Sequence, residues 1–456
     1  MPNLESFFSI INIIWAATNA SEQHLEIAAF QADVTPPVGS PLCMGLVPPA
    51  KKIIDPLTAR GIVIMTADLP VVLCAVDWVE IGNGGHDDWR KALAEAVGTT
   101  IERVSIHTIH PHDTPGHNFS KDELSEVGDI AGAMQDISFT DSAVNRSAEA
   151  AKSSMANIYK VTHIGIGKAK VEKVASNRRV LGPDGNVEHV RYSSCQDENV
   201  RAAPEGVIDP YVRNLSFWNG EMPVASLTYY ATHPQSFYGR GAVSPDYVGM
   251  ARGVREATIP YAFHIHFDGA GGNLAAGKYN DGSPKNRLIL AKRLLKGMEQ
   301  AWENTTKIPI SPSNLEWRVK PVALPLRDNL ASMTEESIYG ILNNPNAGSV
   351  ERILAAHDLI WIRRCKAGHN IDLTCLKLGT VYIVNMPGEL FIEYQLAAQE
   401  IRPDDTVCMA AYGDCGPGYI GTAISYSQGG YETSNASRVA PDVENALMDA
   451  MRELLE

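Results

Sequence analysis

The feature that most constrains the fold is an alternation, beginning near residue 24, between short apolar segments and longer segments with helical periodicity. Residues 71–76 read Val-Val-Leu-Cys-Ala-Val, which is typical of a strand buried on both faces. Residues 284–302 carry Leu288, Leu295 and Met298 on one predicted helical face. The alternation predicts an α/β architecture, with mixed β-sheets flanked by helices in a single large domain over residues 24–456.

The first twenty residues differ from the rest of the chain. Residues 7–17 form an apolar stretch that is too short to span a bilayer, and small residues then lead to Ala20. This pattern is typical of signal-peptide cleavage, and it predicts a signal peptide over residues 1–20 and a secreted or periplasmic protein. The segment has no Lys or Arg and carries Glu5, so a native first helix and a cytoplasmic location stay open.

Charge and hydropathy limit the partners that the protein can have. The formal net charge is −14, whereas nucleic acids and anionic lipid surfaces are bound by basic faces. After the first twenty residues, no segment of the sequence is long and apolar enough to cross a membrane. We therefore expect a small-molecule substrate, no nucleic-acid partner and no stable membrane insertion. The sequence leaves the oligomeric state open.

The spacing of the cysteines gives no evidence of a zinc-binding or redox motif. The sequence has seven of them and no C-x-x-C spacing, which argues against a zinc ribbon or a thioredoxin-type site. Pairing of Cys365 with Cys375, or of Cys408 with Cys415, stays open for an oxidising compartment.

A cluster of histidines follows the predicted strand 103–109. Residues 105–115 read Ser-Ile-His-Thr-Ile-His-Pro-His-Asp-Thr-Pro, so His107, His110 and His112 lie close to Asp113. His110 and His112 share a face on an extended segment, and imidazole is a common zinc ligand. A polar loop capped by Asp113 is the alternative. The density of the cluster favours metal binding or catalysis.

Two further strand ends carry groups that could complete a metal site. His233 stands before Pro234 at the end of the predicted strand 224–230, and Glu389 follows an apolar strand that ends near Asn385. Two imidazoles and one carboxylate are typical of catalytic zinc with an open coordination position. Taken singly, a buried structural histidine and a glutamate at a helix N-terminus are the favoured explanations of these residues.

A glycine-rich run follows the segment 264–268. Gly269, Gly271 and Gly272 would let the backbone approach a ligand closely, and their N–H groups could stabilise an oxyanion. A tight turn is the alternative. The run is not a phosphate-binding P-loop, because no Gly-Lys-Ser/Thr follows it.

The order of these segments resembles the neutral ceramidase family. Residues 110–115 resemble its H-T-H-S-G-P motif, 232–237 its I-H-P-x-S-M motif, 244–251 its S-x-D-N-x-G-Y-A run, 386–390 its I-P-G-E-F motif, and 419–432 its tyrosine-rich segment. Residues 177–178 are similar to its N-R-S segment, and 32–35 to its opening A-D-I-T. The resemblance spans nearly the whole chain after residue 24.

The resemblance implies a set of roles. A zinc ion would be held by four residues, namely His110, His233, Glu389 and Tyr419. Substrate binding or charge stabilisation would fall to His112, Arg178 and Tyr431, with Asn177, Asp246, Gly271 and Gly272 next to the site. The fold implied is the α/β catalytic domain of that family, without its C-terminal immunoglobulin-like domain. Imidazole and carboxylate suit manganese and iron as well as zinc.

One departure from the family bears on the mechanism. The position of the family's proposed serine nucleophile falls on Ala275, which has no nucleophilic group. We therefore predict hydrolysis of an amide or ester bond by metal-activated water. His112 would move the proton, Arg178 and Tyr431 would hold the oxyanion, and the substrate would be more polar than ceramide.

Two alternatives stay open at this point. The same scaffold could support a metal-dependent lyase or isomerase that acts on carbohydrates or cyclitols. Loss of the serine is also compatible with a non-catalytic binding protein that has a degenerate site.

Overall fold

The computed structural model describes residues 24–236, 238–328, 330 and 332–456. The predicted signal peptide, residues 1–20, lies outside the described residues, as does Phe237 of the second histidine motif.

The described chain alternates strands and helices throughout. From residue 24 to the middle of the chain the elements are β1 Leu25–Asp33, β2 Lys52–Ile53, β3 Thr58–Met65, β4 Val71–Val76, α1 Asn83–Val97, β5 Val104–Thr108, α2 Lys121–Glu126, α3 Ala131–Met134, α4 Ile137–Ser154, β6 Tyr159–Val161, β7 His163–Lys170, β8 Ser176–Asn177, β9 Arg179–Leu181, β10 Val187–Val190, α5 Glu198–Ala202, β11 Tyr211–Asn219 and β12 Met222–Tyr230. The remaining elements are β13 Ala242–Val243, α6 Asp246–Thr258, β14 Phe263–Asp268, β15 Leu274–Ala275, α7 Lys285–Glu303, β16 Thr306–Pro309, β17 Leu315–Val322, α8 Glu335–Leu342, α9 Ser349–Lys366, β18 Ile371–Leu378, β19 Val381–Asn385, β20 Glu389–Leu390, α10 Ile392–Ile401, β21 Thr406–Ala410, β22 Tyr419–Ile420, α11 Ala423–Gln428 and α12 Val443–Leu455. This order confirms the predicted α/β class.

Three larger sheets form the framework. Their strand orders are β5-β4-β3-β1-β6, β14-β12-β11-β7-β16 and β17-β18-β19-β21. Each sheet is mostly antiparallel but has one parallel pair, formed by β4 with β5, β12 with β14, and β19 with β21. The carboxyl ends of a parallel pair lie at one edge, so each sheet delivers two chain segments to the same place.

The hydrophobic core explains why the strands read as continuous apolar runs. β4 is buried along its whole length and lies between β3 and β5. Side chains such as Leu73 and Phe267 belong to one apolar cluster that joins the three sheets. Helices α1 and α4 cover the opposite face of the first sheet, with Trp89 and Phe139 in a separate cluster.

Helices α1 and α7 differ from the sequence prediction for identifiable reasons. The apolar residues Trp89, Leu93, Ala96 and Val97 lie at helical spacing and predict a helix that begins near residue 87. Helix α1 begins earlier, at Asn83, because its first turn contains glycines and no apolar residue that would reveal the period. In α7 the predicted apolar face was only partly right: Met298 is buried, but Leu288 is 49% exposed. The buried face runs instead through Leu290, Leu294 and Met298. Residues 373–385, whose apolar pattern fits either one strand or a hairpin, lie in the hairpin β18–β19.

Two other expectations concern cysteines and membranes. All seven cysteines lie among the described residues and are free, so neither of the two pairings left open by the sequence forms here. Within the described part of the chain, no helix has both the length and the apolar character that a bilayer crossing demands.

A buried ion pair joins the first sheet to the helix that covers the second. Arg252 on α6 donates from Nη1 to Asp77 Oδ1 at 2.6 Å and from Nη2 to Asp77 Oδ2 at 2.8 Å. Burial alone would raise the pKa of Asp77, but Arg252 and two hydrogen bonds from Thr58 outweigh it and lower that pKa below its ordinary value. Asp77 therefore stays charged at neutral pH.

Replacing Arg252 by Met should lower the free energy of unfolding by about 3–5 kcal/mol, because Asp77 would stay buried without its partner. Urea unfolding followed by circular dichroism measures the change. The matched control is Arg452→Met, which breaks the exposed Arg452–Asp449 pair and should cost nothing measurable. Because the folded pKa of Asp77 is depressed, the contribution of the Arg252 pair is present above the ordinary aspartate pKa and is lost as the pH falls through the folded value. Equal losses in the two variants would contradict the assignment.

Candidate metal centre

The candidate site lies where the three parallel strand pairs end. His110 follows β5, His233 follows β12, and Glu389 and Tyr419 lie in the short strands that follow β19 and β21. Backbone hydrogen bonds tie these ends together: Thr108 N donates to Tyr412 O, and Ala411 N donates to Asp268 O. The geometry therefore brings together groups that are far apart in sequence.

His110 is held in one orientation. Its Nδ1 lies 2.5 Å from the carbonyl oxygen of Val79, and a carbonyl only accepts, so Nδ1 carries the proton and Nε2 is free to bind a metal. Its ring stacks on Tyr412 with centroids 4.4 Å apart. The backbone φ of His110 is +57°, a strained value for a residue with a Cβ. Strain of this kind persists where surrounding contacts fix a functional side chain.

His110, His233 and Glu389 point at a common region. Glu389 Oε2 lies 3.2 Å from His110 Nε2 and 4.0 Å from His233 Nδ1. Neither of these imidazole atoms, nor Oε2, has a hydrogen-bond partner among the described residues, although all three side chains are buried. Unsatisfied buried polar atoms cost free energy. Two imidazoles and a carboxylate fit a divalent cation.

His112 joins the same imidazole cluster. The possible ligand atoms of His110, His112 and His233 all lie within 4.8 Å of one another. His112 Nδ1 lies 3.1 Å from the carbonyl oxygen of His110, which leaves its Nε2 unprotonated. Burial lowers the pKa of both His112 and His233 well below the ordinary value, so both are neutral. The geometry lets His112 bind a metal directly, as the density of the histidine cluster allowed, whereas the family resemblance implied a role in substrate binding or charge stabilisation.

Tyr419 is positioned at the site by a parallel pair of two-residue strands, β20 and β22. Strands β20 and β22 are parallel, and Tyr419 pairs with Glu389. The backbone N–H of Glu389 donates to the Gly418 oxygen at 3.0 Å. Burial raises the pKa of Tyr419 well above the ordinary value, and the nearby charge of Arg178 opposes that rise. Glu389 is thus part of a strand, and the alternative of a helix N-terminal glutamate does not hold.

Arg178 supplies positive charge beside the two tyrosines. Its guanidinium lies 5.0 Å from the ring centre of Tyr419 and 5.9 Å from that of Tyr431. Arg178 Nε donates to Glu432 at 2.6 Å, and Arg179 Nη1 donates to the other oxygen of Glu432 at 3.1 Å. Two buried guanidinium groups therefore share one carboxylate. Nη2 of Arg178 finds no partner in the described chain, which suits an oxyanion or an anionic group of a ligand.

Asp246 lies behind the site. It accepts hydrogen bonds from Ser236 N at 2.9 Å, from Ser236 Oγ at 2.5 Å and from Tyr247 N at 2.6 Å. Ser236 lines the cavity beside His233. Asp246 thus fixes the turn that presents His233.

The glycine run packs against the segments that carry the ligands. A Cβ on Gly271 would lie 1.9 Å from the Thr232 oxygen, and one on Gly272 would lie 2.1 Å from the Glu389 oxygen. The N–H of Gly272 already donates to the Leu390 oxygen at 2.8 Å. Gly272 therefore serves the tight turn, which was the alternative to an oxyanion-binding role, because its N–H is already used within the described chain.

Two other predicted residues lie away from the cavity. Ala275, at the position of the family's serine, is fully buried in β15 opposite Ser176 and is not among the described residues that line the cavity. Asn177 accepts from Arg179 N at 3.0 Å and donates to the Val207 oxygen at 3.2 Å. Its hydrogen bonds hold the turn that presents Arg178.

A cavity of about 570 Å³ opens on the centre. His110, His112, His233, Arg178, Glu389, Tyr419 and Tyr431 all line it, together with Glu80, His357 and Arg438, which the sequence analysis did not single out. Burial and the nearby charge of Glu389 raise the pKa of Glu80 to about 7. Glu80 follows β4 at the same sheet edge as the histidine cluster, so the rule of polar residues at strand ends could have found it. Neither His357 nor Arg438 follows a strand, and no sequence signal marks them.

Replacing His110, His233 or Glu389 by Ala should abolish stoichiometric zinc binding, because each removes one of few strong donors. Metal analysis after dialysis against zinc measures the change. We expect about one zinc ion per chain in the wild-type protein, as in a catalytic zinc site. Tyr419→Phe should weaken binding less. The control is His163→Ala, on β7 and outside the cavity. Undiminished zinc content in all three alanine variants would contradict the assignment.

Comparisons with known proteins give structural neighbours only. No family model and no curated protein matches the chain. The crystal structure of neutral ceramidase from Pseudomonas aeruginosa superposes with a TM-score of 0.69 and 16% sequence identity, and the match covers 95% of this chain and 74% of that one. A structure described as ceramidase complexed with C2 gives 0.68 and 16%, over 95% and 75%. The chain therefore has the fold of the neutral ceramidases.

Proposed function

We propose that the protein is a zinc-dependent hydrolase that cleaves an amide or ester bond in a substrate more polar than ceramide. The observation that carries the proposal is the unsatisfied pair formed by His110 Nε2 and Glu389 Oε2. These atoms lie 3.2 Å apart, are buried, and make no hydrogen bond within the described residues. A cation between them, shared with His233 and Tyr419, would satisfy both.

The donor set supports zinc in particular. His110, His233 and Glu389 are the ligand types of catalytic zinc sites, and Tyr419 adds an oxygen donor from the adjacent strand. Bound zinc would supply a Lewis acid for the scissile carbonyl and an activated water at neutral pH. The nearby charge of Arg178 would favour the phenolate form of Tyr419, which a metal ligand requires.

The other cavity residues divide the remaining tasks. His112 is neutral and its Nε2 makes no hydrogen bond to the described residues, so it can accept a proton in the cavity and return it to the leaving group. Nη2 of Arg178 has no partner in the described chain and can hold the negative charge that develops on the carbonyl oxygen. Tyr431 packs edge-on against Tyr419 with ring centres 5.6 Å apart and is 45% exposed, which places it where substrate enters.

The nature of the cavity supports a polar substrate. The two structural neighbours of this chain are named as ceramidases, and cleavage of ceramide breaks an amide bond. In this chain, however, charged and polar side chains from several segments line the cavity. A long lipid chain would leave them without hydrogen-bond partners, which costs free energy.

Zinc-loaded protein should hydrolyse p-nitrophenyl acetate and cleave some member of a panel of small N-acyl compounds, and chelation should abolish both activities. His112→Gln should lower kcat about 10²–10⁴-fold while zinc content is kept, because it removes only the proton carrier. Steady-state kinetics with parallel metal analysis measure the effect, and His163→Gln is the control.

The outcome separates the proposal from its alternatives. A lyase or isomerase would convert sugars or cyclitols without cleaving any acyl group. A binding protein would show no zinc-dependent turnover on any substrate in the panel. Either result, obtained with protein that is fully loaded with zinc, would refute the hydrolase.

A further inference from the structure

The cavity beside the candidate metal centre has a second polar side that the proposed hydrolysis does not use. It consists of Glu80, His357 and Arg438, which we call the polar wall. These residues come from the turn after β4, from helix α9 and from the segment before α12. The fold therefore assembles the wall from three distant parts of the chain.

Asn118 ties two members of the wall together. Its Nδ2 donates to Glu80 Oε1 and lies 3.5 Å from His357 Nδ1. Because an amide NH₂ only donates, His357 Nδ1 accepts and the imidazole proton lies on Nε2. His357 is only 4% exposed, and its Nε2 has no hydrogen-bond partner in the described part of the chain. The wall thus contains a buried donor that a ligand could satisfy.

The wall combines acceptors with donors. Glu80 offers carboxylate oxygens, whereas Arg438 offers N–H groups and is anchored by Asp358 at 2.7 Å from its Nε. The charged form of Glu80 would repel a purely anionic ligand, and Arg438 would repel a purely cationic one. A hydroxyl group both donates and accepts, so several hydroxyls on one molecule can satisfy all three residues together.

The rest of the cavity limits the shape of that molecule. Met44, Leu46 and Leu354 line the same cavity and give it an apolar strip, which fits the C–H face of a ring. The volume of about 570 Å³ is in the range of pockets for single small molecules. A compact ring that carries hydroxyl groups matches both the polar wall and the apolar strip.

We infer that the substrate is a compact hydroxylated molecule, an acylated amino sugar or aminocyclitol by class, whose hydroxyl groups bind Glu80, His357 and Arg438 while its acyl bond lies at the candidate metal centre. This inference rests on the proposed function for the bond that is cleaved. It adds the hydroxylated group, next to that bond, that the protein recognises.

A pair of probes that differ only in hydroxyl groups tests the inference. N-acetylglucosamine and N-cyclohexylacetamide both carry an acetamide on a six-membered ring, and each competes with p-nitrophenyl acetate for the zinc-loaded protein. We expect N-acetylglucosamine to have an inhibition constant about 10- to 100-fold lower, because two or more hydrogen bonds to buried partners distinguish it. Glu80→Leu and His357→Phe should bring the ratio toward one, while His163→Phe, outside the cavity, should leave it unchanged.

Two results would overturn the inference. One is a ratio of the two inhibition constants near one in the wild-type protein. This measurement does not depend on any variant folding correctly. The other is a wild-type ratio that both wall variants keep. If zinc-dependent ester hydrolysis is absent, the proposed function fails instead. Calorimetric titration of the zinc-loaded protein with N-acetylglucosamine then tests the wall alone, and absence of binding there would also overturn the inference.

Discussion

The meeting of three parallel strand pairs, one from each large sheet, is the constraint on which the rest of the structure depends. Each pair ends at the same place, and backbone hydrogen bonds between Thr108 and Tyr412, and between Ala411 and Asp268, fix the ends to one another. The turns after these strands have few alternatives, because β14 is packed against the other two sheets. The candidate ligands are therefore held by the framework of the protein rather than by flexible loops.

This framework bears a cost at the site itself. His110, Tyr412 and Asp246 all adopt positive φ values, and buried imidazole and carboxylate atoms stand without hydrogen bonds in the described chain. Two arginines share the single carboxylate of Glu432. Strain, unsatisfied polar atoms and uneven charge in one region are the features expected where a protein is organised around a ligand rather than for its own stability.

The sequence allowed much of this arrangement to be predicted, and the rest had no local signal. His110, His233 and Glu389 could be found because each follows an apolar strand that is visible in the sequence. Tyr419 came only from the family resemblance, because β22 has two residues and its partner Glu389 is identified only by the fold. The apolar face of α7 was partly misplaced, since a strong helical period fits more than one face. Helix α9 carries buried residues on several sides, from Ile353 to Ile362, so it showed no amphipathic pattern.

The distribution of the four candidate ligands along the chain has a consequence for biogenesis. His110 follows β5 of the first large sheet, whereas Tyr419 follows β21, the last strand of the third. A nascent chain on the ribosome can fold its first sheet long before it contains the residues that close the site. The ion would therefore be captured only after synthesis is nearly finished, and a prematurely terminated chain would carry exposed histidines with nothing to complete them.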